Sequence, residues 1–222
     1  MTLYRCYLYF TVLLLASSQA TAIGQTKDSG TTANKWEQGP HGLMLRRMLP
    51  PGPDPKELPE PDSAGAQALT RYCVQCHYLP SPYMHTPERW RVVVERMNRR
   101  MQGEGNMGTL MKELMEGVQK PSQHELDSLL AYLGKHGQKA IDPGQYPDLK
   151  TTVAGQSYSE ACVQCHELPD PKRHTAKEWP LVVERMQKNM AWVGVIKGNV
   201  RNPHELKVED ILDFLKRHSR TN

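Results

Sequence analysis

Phenylalanine occurs only twice in these 222 residues, and apolar residues make up only 38% of the chain. So thin a supply of core-forming side chains argues for small units in which a bound cofactor supplies apolar bulk. Cysteine is scarce too. Four of the five form two C-x-x-C pairs and the fifth, Cys6, lies near the N-terminus, so none is left over for a structural disulfide. No glycine-rich phosphate loop is present, and no nucleophile is paired with a base, which argues against an enzyme of the usual hydrolytic or phosphoryl-transfer kinds. Beyond the N-terminus no apolar run approaches bilayer-spanning length. The formal charge of +4, about +3 without Arg5, gives no support to a nucleic-acid partner.

What is present begins with a leader. Arg5 precedes an apolar run from Tyr7 to Leu15, followed by Ala20-Thr21-Ala22, the pattern of a secretory signal peptide over residues 1–22. The expected mature chain is exported and has no membrane span. Residues 23–60 hold many breakers, including Leu49-Pro50-Pro51-Gly52-Pro53-Asp54-Pro55, and read as a proline-rich arm. Its Trp36, Leu43, Met44, Leu45 and Met48 offer an apolar surface for the next domain or a partner, and plain disorder accounts for them equally well.

The chemistry sits in Cys73-Val74-Gln75-Cys76-His77 and its copy Cys162-Val163-Gln164-Cys165-His166. C-x-x-C-H is the attachment motif of a c-type haem. Two thiols on one side of a helical turn reach the two vinyl groups of a porphyrin, and the adjoining histidine becomes the proximal iron ligand. A zinc site would draw four ligands from two neighbouring knuckles, whereas these pairs stand 89 positions apart, each with its own histidine. A thioredoxin-like dithiol would need a βαβ setting that is missing. Two covalently bound haem c groups are expected, on Cys73 and Cys76 and on Cys162 and Cys165, with His77 and His166 on iron.

The same spacing of 89 aligns Leu79 with Leu168, Pro82 with Pro171, His85 with His174, Trp90 with Trp179, Met97 with Met186 and Met101 with Met190. This is an internal duplication. Each copy reads as three helices. The first ends in the motif (64–72, and 156–161 in the second copy). The middle one starts at Thr86 or Thr175 and carries the stripe Trp90, Val93, Val94, Met97, Met101 or its counterpart. The last carries Leu126, Leu129, Leu130 and Leu133, answered by Val208, Ile211, Leu212 and Leu215, with Ser122-x-x-Glu125 and Asn202-Pro203-x-Glu205 as start signals. The first copy holds about seven extra residues, Gly- and Met-rich, around 103–115. The expected layout is a haem domain over 61–140, a linker over 141–150 and a second haem domain over 151–222.

A helix ending in C-x-x-C-H, a methionine-bearing middle segment and a last helix with Tyr132-Leu133 or Phe214-Leu215 resemble the class I cytochromes c; the chain is similar to a tandem dihaem member. The resemblance covers about residues 61–222. It implies an all-α fold of two tandem haem domains whose first and last helices cross beside the haem, bringing Leu69 and Tyr72 to Leu129–Leu133. It also implies a periplasmic carrier of single electrons. The expected partners are a dehydrogenase, a terminal oxidase or another cytochrome, met as a shuttle or as a fixed subunit. The chain departs from the family in lacking a distal methionine in a downstream loop common to both copies. Met97 and Met186 are the favoured distal ligands; Met101 with Met190, and His85 with His174, are the rivals. Arg96 and Arg185 are candidate partners for haem propionates, and Met107, Met111 and Met115 carry a weaker hint of copper handling. The alternative function is a haem enzyme or sensor with one open distal site.

Overall fold

The computed structural model describes residues 49–104, 108–115, 117–197 and 205–221. The leader and most of the arm, including Cys6, Trp36, Leu43, Met44, Leu45 and Met48, lie outside the described residues. Among the described residues the chain is helical, and β-structure is limited to two isolated bridges. The first copy holds α1 (Ala64–Tyr72), α2 (Pro87–Met101), α3 (Thr109–Met115) and α4 (Gln123–His136). The second holds α5 (Val153–Cys162), α6 (Trp179–Lys197) and α7 (Val208–Arg217). The expected three-helix unit is therefore present twice, with the extra residues of the first copy forming α3. No helix of the described residues is long and apolar enough to cross a membrane.

Local chemistry explains the boundaries. Ser63 caps α1 by accepting from the Ala66 N–H, and Thr152 caps α5 by accepting from Gly155. Thr86 caps α2, with Pro87 filling a position where a missing N–H costs nothing. Ser122 and Glu125 form both bonds of the capping box, so α4 begins where its sequence signal places it. Three starts differ from expectation, the first being α5, which begins at Val153 where 156 was expected. Glu178 does reach back to the Thr175 N–H at 2.8 Å, but α6 begins at Trp179, because Pro180 has no N–H with which to continue the helical bonding back through 176–178. In the last helix Asn202 and Pro203 lie outside the described residues, and α7 starts only at Val208, after Lys207, with no side-chain cap.

In each copy the first helix packs on the last and the middle helix closes the third side. Leu69, Tyr72, Leu129, Tyr132 and Leu133 meet in the first core, as expected. Tyr158, Ala161, Ile211, Phe214 and Leu215 do so in the second, where Tyr158 and Phe214 stack at 4.9 Å. Complete burial of Leu69 and Leu133 contributes about 1.5–3 kcal/mol for each side chain. Helices α1 and α4 cross at Gly65, where a β-carbon would stand 2.2 Å from Tyr132 Cβ and 2.5 Å from the Ser128 carbonyl oxygen.

The duplication extends further upstream than the gap-free alignment reached. Asp54-Pro55-Lys56-Glu57-Leu58-Pro59 matches Asp142-Pro143-Gly144-Gln145-Tyr146-Pro147 at a spacing of 88 instead of 89. Each Asp caps a short 3-10 turn by accepting from the N–H two residues on, and each turn delivers a buried side chain, Leu58 or Tyr146, to its core. The end of the expected arm is thus part of the first domain: Tyr132 Oη donates to the Pro59 carbonyl and Lys135 pairs with Glu60. The expected linker 141–150 is likewise part of the second, with Tyr146 and Leu149 buried. These starts act as straps. Residues 138–141 pair antiparallel with the loop after the second motif: Ile141 N–H donates to Leu168 (2.9 Å) and Asp170 N–H to Lys139 (3.2 Å). In the first copy Gly52 lies against the Leu79 carbonyl so closely that a β-carbon would come within 1.8 Å of its oxygen.

Two outcomes follow for thermal unfolding. Gly65→Ala, which pushes α1 off α4, should cost about 1–3 kcal/mol, whereas Gly134→Ala, with open space at its β-carbon, should gain about 0.5–1 kcal/mol. Equal effects at the two positions would contradict the close crossing. Glu125 accepts from the Ser122 hydroxyl, the Ser122 N–H and Tyr72 Oη, which lower its pKa from 4.5 to about 2. Its stabilisation is complete above pH 4.5 and is lost as the pH falls towards 2. Glu125→Gln should therefore flatten that part of the stability–pH curve; an unchanged slope would refute the assignment.

Candidate functional site

Each C-x-x-C-H motif leaves the end of a first helix. Cys73 is the C-cap of α1, its N–H donating to Leu69 at 3.0 Å, and Cys162 is the last residue of α5. One turn of chain then carries the histidine. His77 Nδ1 lies 2.8 Å from the Tyr78 carbonyl oxygen, and His166 Nδ1 lies 2.8 Å from that of Glu167. A carbonyl only accepts, so in each ring Nδ1 holds the proton and Nε2 keeps its lone pair. That is the tautomer a metal-binding imidazole needs, with its second nitrogen anchored. Burial lowers the pKa of His77 and so favours the neutral ring, against the opposing effect of the Tyr78 bond.

Cys73, Cys76 and Cys162 are held as thiols, while Cys165 is exposed. No disulfide joins the pair in either motif. Burial pushes Cys73 and Cys162 up to about 12, and Cys76 to about 11 although Arg100 pulls the other way. Among the described residues no three Cys, His, Asp or Glu side chains converge as a metal-ion set.

Behind each motif the loop to the middle helix is pinned in the same way twice. Trp90 Nε1 donates to the Pro82 carbonyl (2.7 Å) and Trp179 Nε1 to that of Pro171 (2.9 Å). His85 meets Trp90 edge-on at 5.1 Å, and His174 meets Trp179 at 4.8 Å. His85 Nδ1 is 3.3 Å from Glu167 of the second copy, and His174 Nδ1 is 3.8 Å from Glu178. Burial lowers the pKa of both rings despite these carboxylates.

The candidate methionines divide. Met97 and Met186 are half-buried and belong to neither apolar core, whereas Met101 packs against the first core and Met190 is buried. Arg96 and Arg185 are exposed on α2 and α6. Of the copper hint, Met107 and the Met111 side chain lie outside the described residues, and Met115 is buried on α3.

Several residues at the site escaped the sequence reading. Buried Gln75 bonds reciprocally with Gln119, donating to its carbonyl (3.0 Å) and accepting from its N–H (2.8 Å). Its counterpart Gln164 donates instead to Glu160 and Ala161 at the end of α5. The glutamine shared by both motifs was the available signal. The two loops also touch: Arg173 lies 4.0 Å over the Tyr83 ring, Tyr78 meets Trp192 at 6.2 Å, and His85 reaches Glu167. Of these residues only His85 keeps its identity in the other copy, as His174, so the internal repeat does not reveal the interface.

Compared with protein-family models, curated proteins and solved structures, the chain matches none.

Trp90→Phe and Trp179→Phe should each destabilise the protein by about 1–3 kcal/mol, by leaving a proline carbonyl buried without its donor. Calorimetry of the two variants checks this, and a loss at one position only would show that the loops are not held alike.

Proposed function

We propose that the chain is a dihaem c-type cytochrome that passes single electrons between redox partner proteins. One observation carries the reading: two C-x-x-C-H motifs leave helix ends with matching geometry, each histidine anchored through Nδ1 with Nε2 bare for iron. Cys73 and Cys76 hold one haem, Cys162 and Cys165 the other, each thiol adding across a vinyl group. When bound, each haem supplies a one-electron iron couple. The chain's part is to attach the haem, fix the proximal imidazole and bury the macrocycle's apolar faces.

Met97 and Met186 serve as distal ligands in this reading. The packing of Met101 against the first core supports Met97 over it in that copy, and the engagement of His85 and His174 with Trp edges and carboxylates supports a structural role for those rings. The contacts Arg173–Tyr83, Tyr78–Trp192 and His85–Glu167 bring the two motif loops to one interface, an arrangement suited to exchange between the two sites. Residues 1–22 act as an export signal to the periplasm. There the partner is a dehydrogenase, a terminal oxidase or another cytochrome, and nucleic acid plays no part. A haem enzyme or sensor is the second reading, favoured by one asymmetry among the described residues: the first copy carries α3 after its middle helix, while in the second α6 runs on to Lys197.

Whole-protein mass and absorption spectra of the exported holoprotein test both readings. Two covalent haems, low-spin iron and a sulfur-to-iron charge-transfer band are expected; a chain without haem refutes the proposal, and high-spin iron at one site favours the enzyme or sensor. Met97→Ala and Met186→Ala should each remove about half of that band. Loss through Met101→Ala and Met190→Ala instead would reassign the ligands.

A further inference from the structure

We infer that Gln138, a residue at the end of the first domain, is a positioning residue for the proximal ligand of the second haem and raises that haem's reduction potential. The inference rests on the dihaem reading above. Gln138 is 2% exposed and bonded at two points. Its backbone N–H donates to the His85 carbonyl at 2.8 Å, closing the first domain. Its side-chain Nε2 donates to the Glu167 carbonyl, the same oxygen that accepts from His166 Nδ1. The adjoining strap, through Ile141 N–H to Leu168, keeps the side chain in register with this oxygen.

Two donors on one carbonyl oxygen draw on the same electron density, so each bond is weaker than either alone. A weaker Nδ1–H bond leaves the His166 ring less electron-rich, and an electron-poorer imidazole donates less to iron. Ferric iron depends on that donation more than ferrous iron does, so sharing the carbonyl favours the reduced state and raises the potential. At the matching strap position of the first domain stands Pro50, which has no amide to offer. The effect of Gln138 is therefore confined to the second haem, although the residue belongs to the first domain's end. Gln138 touches no iron ligand; it acts only through the acceptor that His166 uses.

Gln138→Met keeps the length and removes the donor; Gln138→Asn keeps an amide that falls one methylene short. Both are made in the full-length holoprotein and followed by spectroelectrochemistry, with a Cys162→Ser/Cys165→Ser chain, which carries only the first haem, assigning the two waves. Expected is a downward shift of the second wave with the first unmoved, together with a downfield shift of the His166 Nδ1 proton in the reduced protein's NMR spectrum as its bond strengthens. An unmoved second wave in a variant that retains both haems overturns the inference and leaves the dihaem reading intact. A wild-type chain that carries no haem overturns the reading itself. Should Gln138→Met lose a haem, Gln138→Asn decides alone.

Discussion

Everything at the two motifs depends on an imidazole N–H held by the carbonyl of the very next residue. That bond fixes the tautomer, directs Nε2 away from the backbone and ties the ring to a short loop, so loop position becomes ring position. The rest of each domain serves to hold that loop. A strap crosses it from one side, the indole of Trp90 or Trp179 grips it from the other, and the first helix, fixed by its packing on the last, sets where it begins.

The thin cores make sense on the same terms. Each domain's described core consists of a handful of large side chains where two or three short helices meet, and a chain with 38% apolar residues has little else to bury. A covalently held macrocycle would supply the apolar bulk that such small units lack. The two copies fill equivalent space differently: Leu69 and Tyr72 in the first are answered by Tyr158 and Ala161 in the second, so the aromatic ring moves from the end of the helix to its middle. Duplicated geometry has survived a change of packing.

Much of this was legible in the sequence. The motifs, the duplication and the helical stripes follow from spacing and periodicity, because those features are local or repeated, whereas the pairing of first with last helix came from the resemblance to class I cytochromes c. The caps at Thr86 and Ser122 were also readable, since a capping side chain and its target N–H lie three residues apart. What escaped was non-local or out of register. The Asp-Pro turns sit at a spacing of 88, one residue off the main repeat, and so read as arm and linker although Leu58 and Tyr146 are core residues. Glu167 and Arg173 gain their meaning only across the domain boundary, where residues distant in sequence meet and no period connects them. Of the start signal for α7, Asn202 and Pro203 lie outside the described residues, and the helix begins at Val208 without a side-chain cap.

The span 138–141 is both the last closure of one domain and the first strap of the next. Two domains that share four residues of hydrogen-bonded backbone have no slack between them. Loss of either copy strips the other of a boundary it relies on, so the nearest-neighbour coupling familiar from repeat arrays applies with an array of two. The duplication thus joins its two copies through paired backbone at 138–141 instead of through a free linker.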